Sequence, residues 1–338
     1  MKRWLSANYL TLLCQLVLCA GGIYAVLRIV PNFPALPWIR EDNATSTTDY
    51  LLRQYLPGSN DSQISPSAVL RHELLQLPPD QDILFVGNSR GLTFFQPEVE
   101  RLTQQKTANL SYNGMPADLA KCLVMDYLDH HKVPKVMVVD VTLCDRENDM
   151  LKSGFNLYTP ASARLDTLLR GIHSPDNWAG RKIVYGGKVS WLYRHNSEIF
   201  QRVLYHRNKT DEDWLIDRMI SASAANDTSL RSYQVRMFPN MVTHLKEMIE
   251  YAQNKGVEVK LVINPYFPAF AESVRDSFLT PLKMYVESQT KMPIEDFSTV
   301  LTDREDIGDF QHANKKGSIN YMRILVGAGY FNSSKSNQ

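Results

Sequence analysis

The sequence predicts an α/β fold in three layers, a parallel sheet with helices on both faces, and three observations carry that reading. Short apolar runs at Ile83 to Val86, Val136 to Val141 and Val259 to Ile263 are rich in β-branched residues and lack strict alternation, as expected of strands buried on both faces. Segments with apolar residues at helical spacing lie between them. The order strand, helix, strand, helix implies crossovers of one hand, which bring the strand ends to a single rim where ligands bind.

Taken in order, Asp82 precedes the first strand, Ile83 to Val86, which enters Gly87-Asn88-Ser89. Ala108 to Leu110 is a short second strand. Pro116 to His131 carries Leu119, Leu123 and Tyr127 on one helical face. The next strand, Val136 to Val141, is interrupted only by Asp140. Met241, Leu245, Met248 and Ala252 mark an amphipathic helix that Gly256 can terminate, and Val259 to Ile263 follows as a strand. Pro293 to Phe297 offers a last short strand, and Asn314 can cap a final helix running to about Val326. Residues 150–237 do not continue the rhythm and are expected to form an inserted, mostly helical cap.

The N-terminus adds a location. Lys2 and Arg3 precede Tyr9 to Leu27, a stretch without charge in which Gln15 is the strongly polar exception, and Arg28 closes it. About 20 apolar residues suffice to span a bilayer. An uncleaved anchor is favoured, with a cleaved signal peptide as the competing reading because Ala20-Gly21-Gly22 resembles a small-residue cleavage site. The early positive charges favour a cytoplasmic N-terminus, placing the rest outside the cytoplasmic membrane. The expected organisation is an anchor over residues 1–30, a Pro-rich then polar linker and juxtamembrane segment over 31–80, and an α/β domain over 81–335 containing the insertion.

Composition excludes several classes. Charged residues make up 22% and mean hydropathy is −0.28, which fits one anchored globular unit rather than a multi-span protein. A formal net charge of +1 argues against a dedicated nucleic-acid binder. No His/Cys/carboxylate spacing suggests a metal site, and no Gly-rich loop suggests a phosphate cofactor, so neither metal nor cofactor is expected. Cys14 and Cys19 fall in the apolar segment; Cys122 and Cys144 read as two separate buried thiols, with pairing left open.

The chemistry-bearing residues stand at opposite ends of the α/β region. Ser89 follows the first strand, and Asp309-Phe310-Gln311-His312 precedes the last helix. A serine hydroxyl becomes a nucleophile when a base takes its proton, and the base works best when a third group fixes its tautomer. Ser89, His312 and Asp309 supply those three parts.

In these blocks the chain resembles the SGNH hydrolase superfamily, also called GDSL-type hydrolases, and in particular a membrane-anchored branch associated with bacterial cell-surface glycans. The resemblance covers roughly residues 82–328. Gly87-Asn88-Ser89 matches the nucleophile block, with Asn88 where Asp is common. Asn109-Leu110-Ser111-Tyr112-Asn113-Gly114 is similar to the second block, whose glycine lends an N–H to the oxyanion hole. Asp309 to His312 matches the Asp-x-x-His block, and His312-Ala313-Asn314-Lys315-Lys316-Gly317 resembles its continuation in this branch. The third block departs: a Gly-x-Asn-Asp segment would supply an oxyanion asparagine, whereas Val141-Thr142-Leu143-Cys144 here leads into Asp145-Arg146-Glu147-Asn148. Thr142 or Asn148 is then the candidate replacement.

The resemblance implies a flavodoxin-like sheet of the SGNH type and an acyl-enzyme mechanism. Ser89 would attack an ester with His312 as base, Asp309 as orienter, and the N–H groups of Ser89 and Gly114 as oxyanion donors. It further implies an esterase or O-acyltransferase, outside a bacterial inner membrane, acting on an envelope glycan or acyl ester. The alternative is a weak or inactive scaffold that binds glycan or a membrane-bound acyltransferase. In the insertion, Trp178, Tyr185, Trp191 and Trp214 are interleaved with Arg181, Lys182, Lys188 and Arg194, which suits a glycan-binding lid or, as the blander reading, a helical subdomain with its own core.

Overall fold

The computed structural model describes Gly21 and residues 81–111, 114–155, 162–172, 219–225 and 235–332. The expected anchor, apart from Gly21, and the linker lie outside the described residues, as does most of the insertion. No helix among the described residues is long and apolar enough to cross a membrane.

Within them, β1 (Ile83–Val86) leads through a 3₁₀ turn, Ser89–Thr93, to α1 (Gln96–Thr103) and β2 (Thr107–Asn109). Then come α2 (Ala117–His130), β3 (Val136–Asp140), a second 3₁₀ turn (Val141–Asp145) and α3 (Asp149–Gly154). The insertion contributes α4 (Ala163–Ile172) and α5 (Ala222–Ala225). The chain returns with α6 (Pro239–Asn254), β4 (Glu258–Ile263), α7 (Pro268–Val274), α8 (Thr280–Thr290), β5 (Ile294–Asp296) and α9 (Lys315–Gly327).

The five strands form one sheet in the order β2-β1-β3-β4-β5, every pairing parallel. β1 is thus flanked by β2 on one side and β3 on the other, in register Ile83 with Thr107 and with Val136. That reversal of direction opens a crevice beyond the carboxyl ends of β1 and β3.

Strand periodicity sorts the core into two faces. Leu84, Val86, Met137, Val139, Leu261 and Ile263 face α2, α6, α7 and α8. Ile83, Phe85, Val136, Val138 and Val262 face α1 and α9, through Val99, Tyr321, Met322 and Leu325. Phe85 is fully buried, stacking on Phe94 at 4.7 Å and meeting Phe331 edge-on at 5.7 Å. Burying one such side chain is worth about 1.5–3 kcal/mol.

The sequence reading assigns no element between β4 and β5, where the structure has two helices joined by a wide π turn, Arg275–Leu279. Pro268 and Pro281 sit in the first turns of α7 and α8, where no N–H is needed. Phe270, Val274, Phe278, Leu282 and Val286 repeat every four residues and are all buried, so the pattern survives the irregular turn.

The described part of the insertion is helical, but α4 does not stand over the rim. Its Arg164 pairs with Asp126 at 2.6 Å and Asp129 at 2.8 Å, on the half of α2 farther from the strand ends, with Ser162 also donating to Asp126. Tyr251 and Lys255 at the end of α6 donate to the same Asp129 carboxylate. Cys122 and Cys144 are both free and buried; burial pushes the Cys122 thiol up to about 12 and Cys144 well above its ordinary value.

Glu98 links the two helices on the second face. Its carboxylate accepts from Arg101 Nε and Nη2 at 2.9 and 2.8 Å and from Arg323 Nε of α9 at 2.6 Å. Arg101's hydrogen bonds, then Arg323's, overcome the opposing effect of burial and hold the acid down at about 2, against an ordinary 4.5. Because the folded-state value is the lower one, this stabilisation is full above about 4.5 and is lost as the pH falls toward about 2. Glu98→Gln should therefore flatten the acid limb of a thermal-midpoint profile over that interval, and an unchanged limb would show that Glu98 does not contribute.

Candidate active site

The candidate nucleophile, Ser89, sits on a turn that several side chains hold against the sheet. Asn88 Oδ1 accepts from Arg90 N at 3.0 Å, and Asn88 Nδ2 donates to Thr142 O at 3.0 Å across the β1–β3 crevice. The turn packs so closely that a methyl on Gly91 would collide with Ser111 Oγ, and one on Gly87 would come 2.6 Å from Gly91 Cα. Asn109 Nδ2 donates to Gly91 O at 3.1 Å, while its Oδ1 accepts from Ser111 N at 2.9 Å. Asn109 is buried, so its amide serves the turn and is not offered at the surface. Ser89 emerges with 8% of its surface exposed.

The candidate base, His312, comes from a tight loop before α9. Ile307 and Ala313 form an antiparallel bridge, and Gly308 N and Asp309 N donate to His312 O at 2.9 and 3.2 Å. Asp309 Oδ1 closes the loop from within by accepting from Gln311 N at 2.7 Å and His312 N at 2.9 Å. Asn314 caps α9, its Oδ1 accepting from Gly317 N at 3.0 Å. Any side chain at Gly317 would strike the Asp306 carbonyl, so the glycine lets the helix start lie directly against the loop.

These two segments bring Ser89, His312 and Asp309 together. His312 Nε2 lies 2.9 Å from Ser89 Oγ, and His312 Nδ1 lies 2.9 and 3.0 Å from the two Asp309 oxygens. An ionised carboxylate only accepts, so Nδ1 carries the proton and Nε2 is left to accept from the Ser89 hydroxyl. Burial pushes the Asp309 carboxyl up, but the His312 contact and the Gln311 and His312 amides outweigh it and hold the group below its usual range. Asp309→Asn should cost about 10⁴-fold in turnover by releasing the tautomer, with folding retained; near-normal turnover would exclude Asp309 as the orienter.

Beneath the triad runs a buried polar network of which the sequence reading singled out only Thr142. Arg90, 1% exposed, donates through Nε to Thr142 Oγ1 at 2.9 Å, through Nη2 to Asp145 Oδ2 at 2.5 Å and through Nη1 to Gln311 Oε1 at 3.4 Å. Its guanidinium lies 5.0 Å over the Tyr266 ring. One cation thereby joins the nucleophile turn, the end of β3 and the base loop. Asp140 accepts from Thr142 N, Thr142 Oγ1 and Asn264 Nδ2, and Asn264 Oδ1 accepts from Tyr321 OH. Burial opposes the Arg90 charge, yet its neighbours Tyr266, Asp145 and Asp140 raise its pKa further; burial pushes Asp140 up, whereas Arg90 and Arg146 overcome burial and hold Asp145 down.

The network corrects one expectation. The Thr142 hydroxyl is fully buried and gives its proton to Asp140 at 2.7 Å while accepting from Arg90, so it braces the strand end and is not aimed at an oxyanion. Asn148, the other candidate, lies beside the second block, where its Nδ2 donates one proton to Gly114 O at 3.1 Å and its Oδ1 accepts from Leu151 N at the start of α3. Gly114 itself has φ +73°, a left-handed conformation that suits glycine. Behind it, Lys152 and Asp118 make a buried ion pair at 2.8 Å that ties α3 to α2. Tyr112 and Asn113 lie outside the described residues.

Among the described residues no group of His, Cys, Asp and Glu could hold a metal ion. No protein-family model matches the chain, and no curated protein matches it. At the crevice where the sheet reverses direction, the Ser89 hydroxyl thus meets an imidazole that a carboxylate holds from its other side.

Proposed function

We propose that this chain is a serine-dependent acyl-transfer enzyme, anchored by its N-terminal segment outside the cytoplasmic membrane and acting as an O-acyltransferase or esterase on a cell-surface polysaccharide. The observation that carries the reading is the relay from Ser89 Oγ through His312 to Asp309, with contacts of 2.9 Å on each side of the imidazole. Ser89 Oγ attacks an ester carbonyl as its proton passes to His312 Nε2, and Asp309 stabilises the imidazolium. Collapse of the tetrahedral intermediate expels the leaving oxygen, which takes that proton, and leaves the acyl group on Ser89. Water or a sugar hydroxyl then gives a proton to His312 and accepts the acyl group. The resemblance to SGNH hydrolases, the order of the blocks and the apolar N-terminal segment support the envelope setting; acceptor binding and water exclusion decide between transfer and hydrolysis.

The test uses the full chain in detergent micelles with p-nitrophenyl acetate, with and without an oligosaccharide acceptor. Rapid quenching and intact-mass analysis should find one acetyl group, mapped to Ser89, and acetyl should appear on the sugar or as free acetate. Absence of both adduct and ester consumption would sink the proposal.

A further inference from the structure

An acyl oxyanion formed at Ser89 is stabilised by donors already fixed in place, and charged donors are the stronger ones. Thr142 gives its one hydroxyl proton to Asp140, and Asn148 commits one of its two amide protons to Gly114 O, which leaves at most one neutral side-chain donor from the two expected in the sequence. Arg146 brings a charged donor to the Gly114 loop as well. Its Nε and Nη2 donate to Asp145 Oδ1 and Oδ2 at 2.5 and 3.0 Å, a side-on bidentate pair that fixes the plane of the guanidinium. Asp145 is itself held by Arg90, the residue after Ser89, at 2.5 Å.

This ion chain leads from the nucleophile turn to the Gly114 loop. In a side-on pair the second Nη points away from the carboxylate, and Arg146 Nη1 makes no hydrogen bond among the described residues. It lies 3.9 Å from where a Cβ on Gly114 would sit. The Arg146 side chain is 33% exposed whereas Asp145 is 2%, so the cation faces outward from a buried anchor. A guanidinium so braced moves little when charge develops next to it, which is the condition for transition-state stabilisation.

We propose that Arg146 Nη1 is a donor to the acyl oxyanion, the charged substitute for the amide that the departed third block would supply; this rests on the acyl-transfer reading of the same site. As the Ser89 Oγ–carbon bond forms, the carbonyl π pair moves onto oxygen and the Ser89 proton goes to His312 Nε2. Arg146 keeps all its protons and accepts the new charge as a hydrogen-bond donor. When the carbonyl reforms, the leaving oxygen departs with the proton from His312 and the Arg146 contact relaxes. The residue therefore acts on the chemical step and not on ground-state binding.

The test is steady-state turnover of p-nitrophenyl acetate by the full chain in detergent, for wild type, Arg146→Ala and Arg146→Lys, with thermal melts of each. The expected result is a fall in kcat of about 10²–10³-fold for Arg146→Ala with little change in KM. Arg146→Lys should retain part of the rate, Arg146→Ala should melt lower because buried Asp145 loses two donors yet stay folded at the assay temperature, and millimolar guanidinium should restore part of the Arg146→Ala rate. A wild-type kcat in Arg146→Ala, a change confined to KM, or a loss that tracks a lowered melt without recovery by guanidinium would each overturn the assignment while leaving acyl transfer standing. A wild type that neither turns over the ester nor becomes acylated at Ser89 overturns the acyl-transfer reading, and this inference with it.

Discussion

Ser89→Ala and His312→Ala should each lower turnover of an activated acyl ester by about 10⁴-fold or more, with unchanged thermal melts. In the proposed mechanism Ser89 Oγ bonds to the acyl carbon, and His312 Nε2, 2.9 Å away, is the base that frees it. Neither side chain anchors the core: the turn is held by Asn88, Asn109 and Arg90, and the base loop by the Asp309 carboxylate and the Asn314 cap. The double variant should be no worse than either single one, because both act in one unit. Additive losses would mean that the two residues serve different steps.

Arg90→Met should destabilise the protein by about 3–5 kcal/mol, since it leaves a buried carboxylate short of its partner. Arg90 and Asp145 side chains are each 2% exposed and meet at 2.5 Å. For a domain of this size the thermal midpoint should fall by roughly 6–20 °C. Acylation of Ser89 in the folded fraction should also slow, because Arg90 Nη1 and Nε are what connect Gln311 of the base loop and Thr142 of β3 to the nucleophile turn. Arg90→Lys keeps the charge without the fork and should fall between the two. A midpoint and acylation rate equal to wild type would show that the network does not hold the site.

How legible these features were in the sequence follows from what each depends on. β1, β3 and β4 could be read because strands buried on both faces need apolar, β-branched runs, and Ile83 to Val86 or Val136 to Val139 admit little else. α6 and α9 could be read from one apolar face and from Gly256 and Asn314 at their ends. α7 and α8 were harder: Pro268, Pro281 and a π turn between them break the local period although the buried side chains still recur. Ser89, His312 and Asp309 stood out because their residue types form a set with one known chemical logic. Arg90, Asp145, Asn264 and Gln311 did not, since an isolated Arg or Asp reads as a solvated charge. Only the parallel pairing of β1 with β3 and β3 with β4 brings Arg90, Asp145 and Asn264 into one buried cluster. The Thr142 assignment failed for the same reason: its position at a strand end was legible, but the Asp140 carboxylate that takes its proton was not.

Whether Ser89 is an activated nucleophile can be measured by covalent labelling of the full chain with a fluorophosphonate probe and mapping of the modified residue. One label per chain is expected, on Ser89, lost in Ser89→Ala and strongly slowed in His312→Ala. Folded wild-type protein that stays unlabelled, or labelling that persists in Ser89→Ala, would contradict that activation.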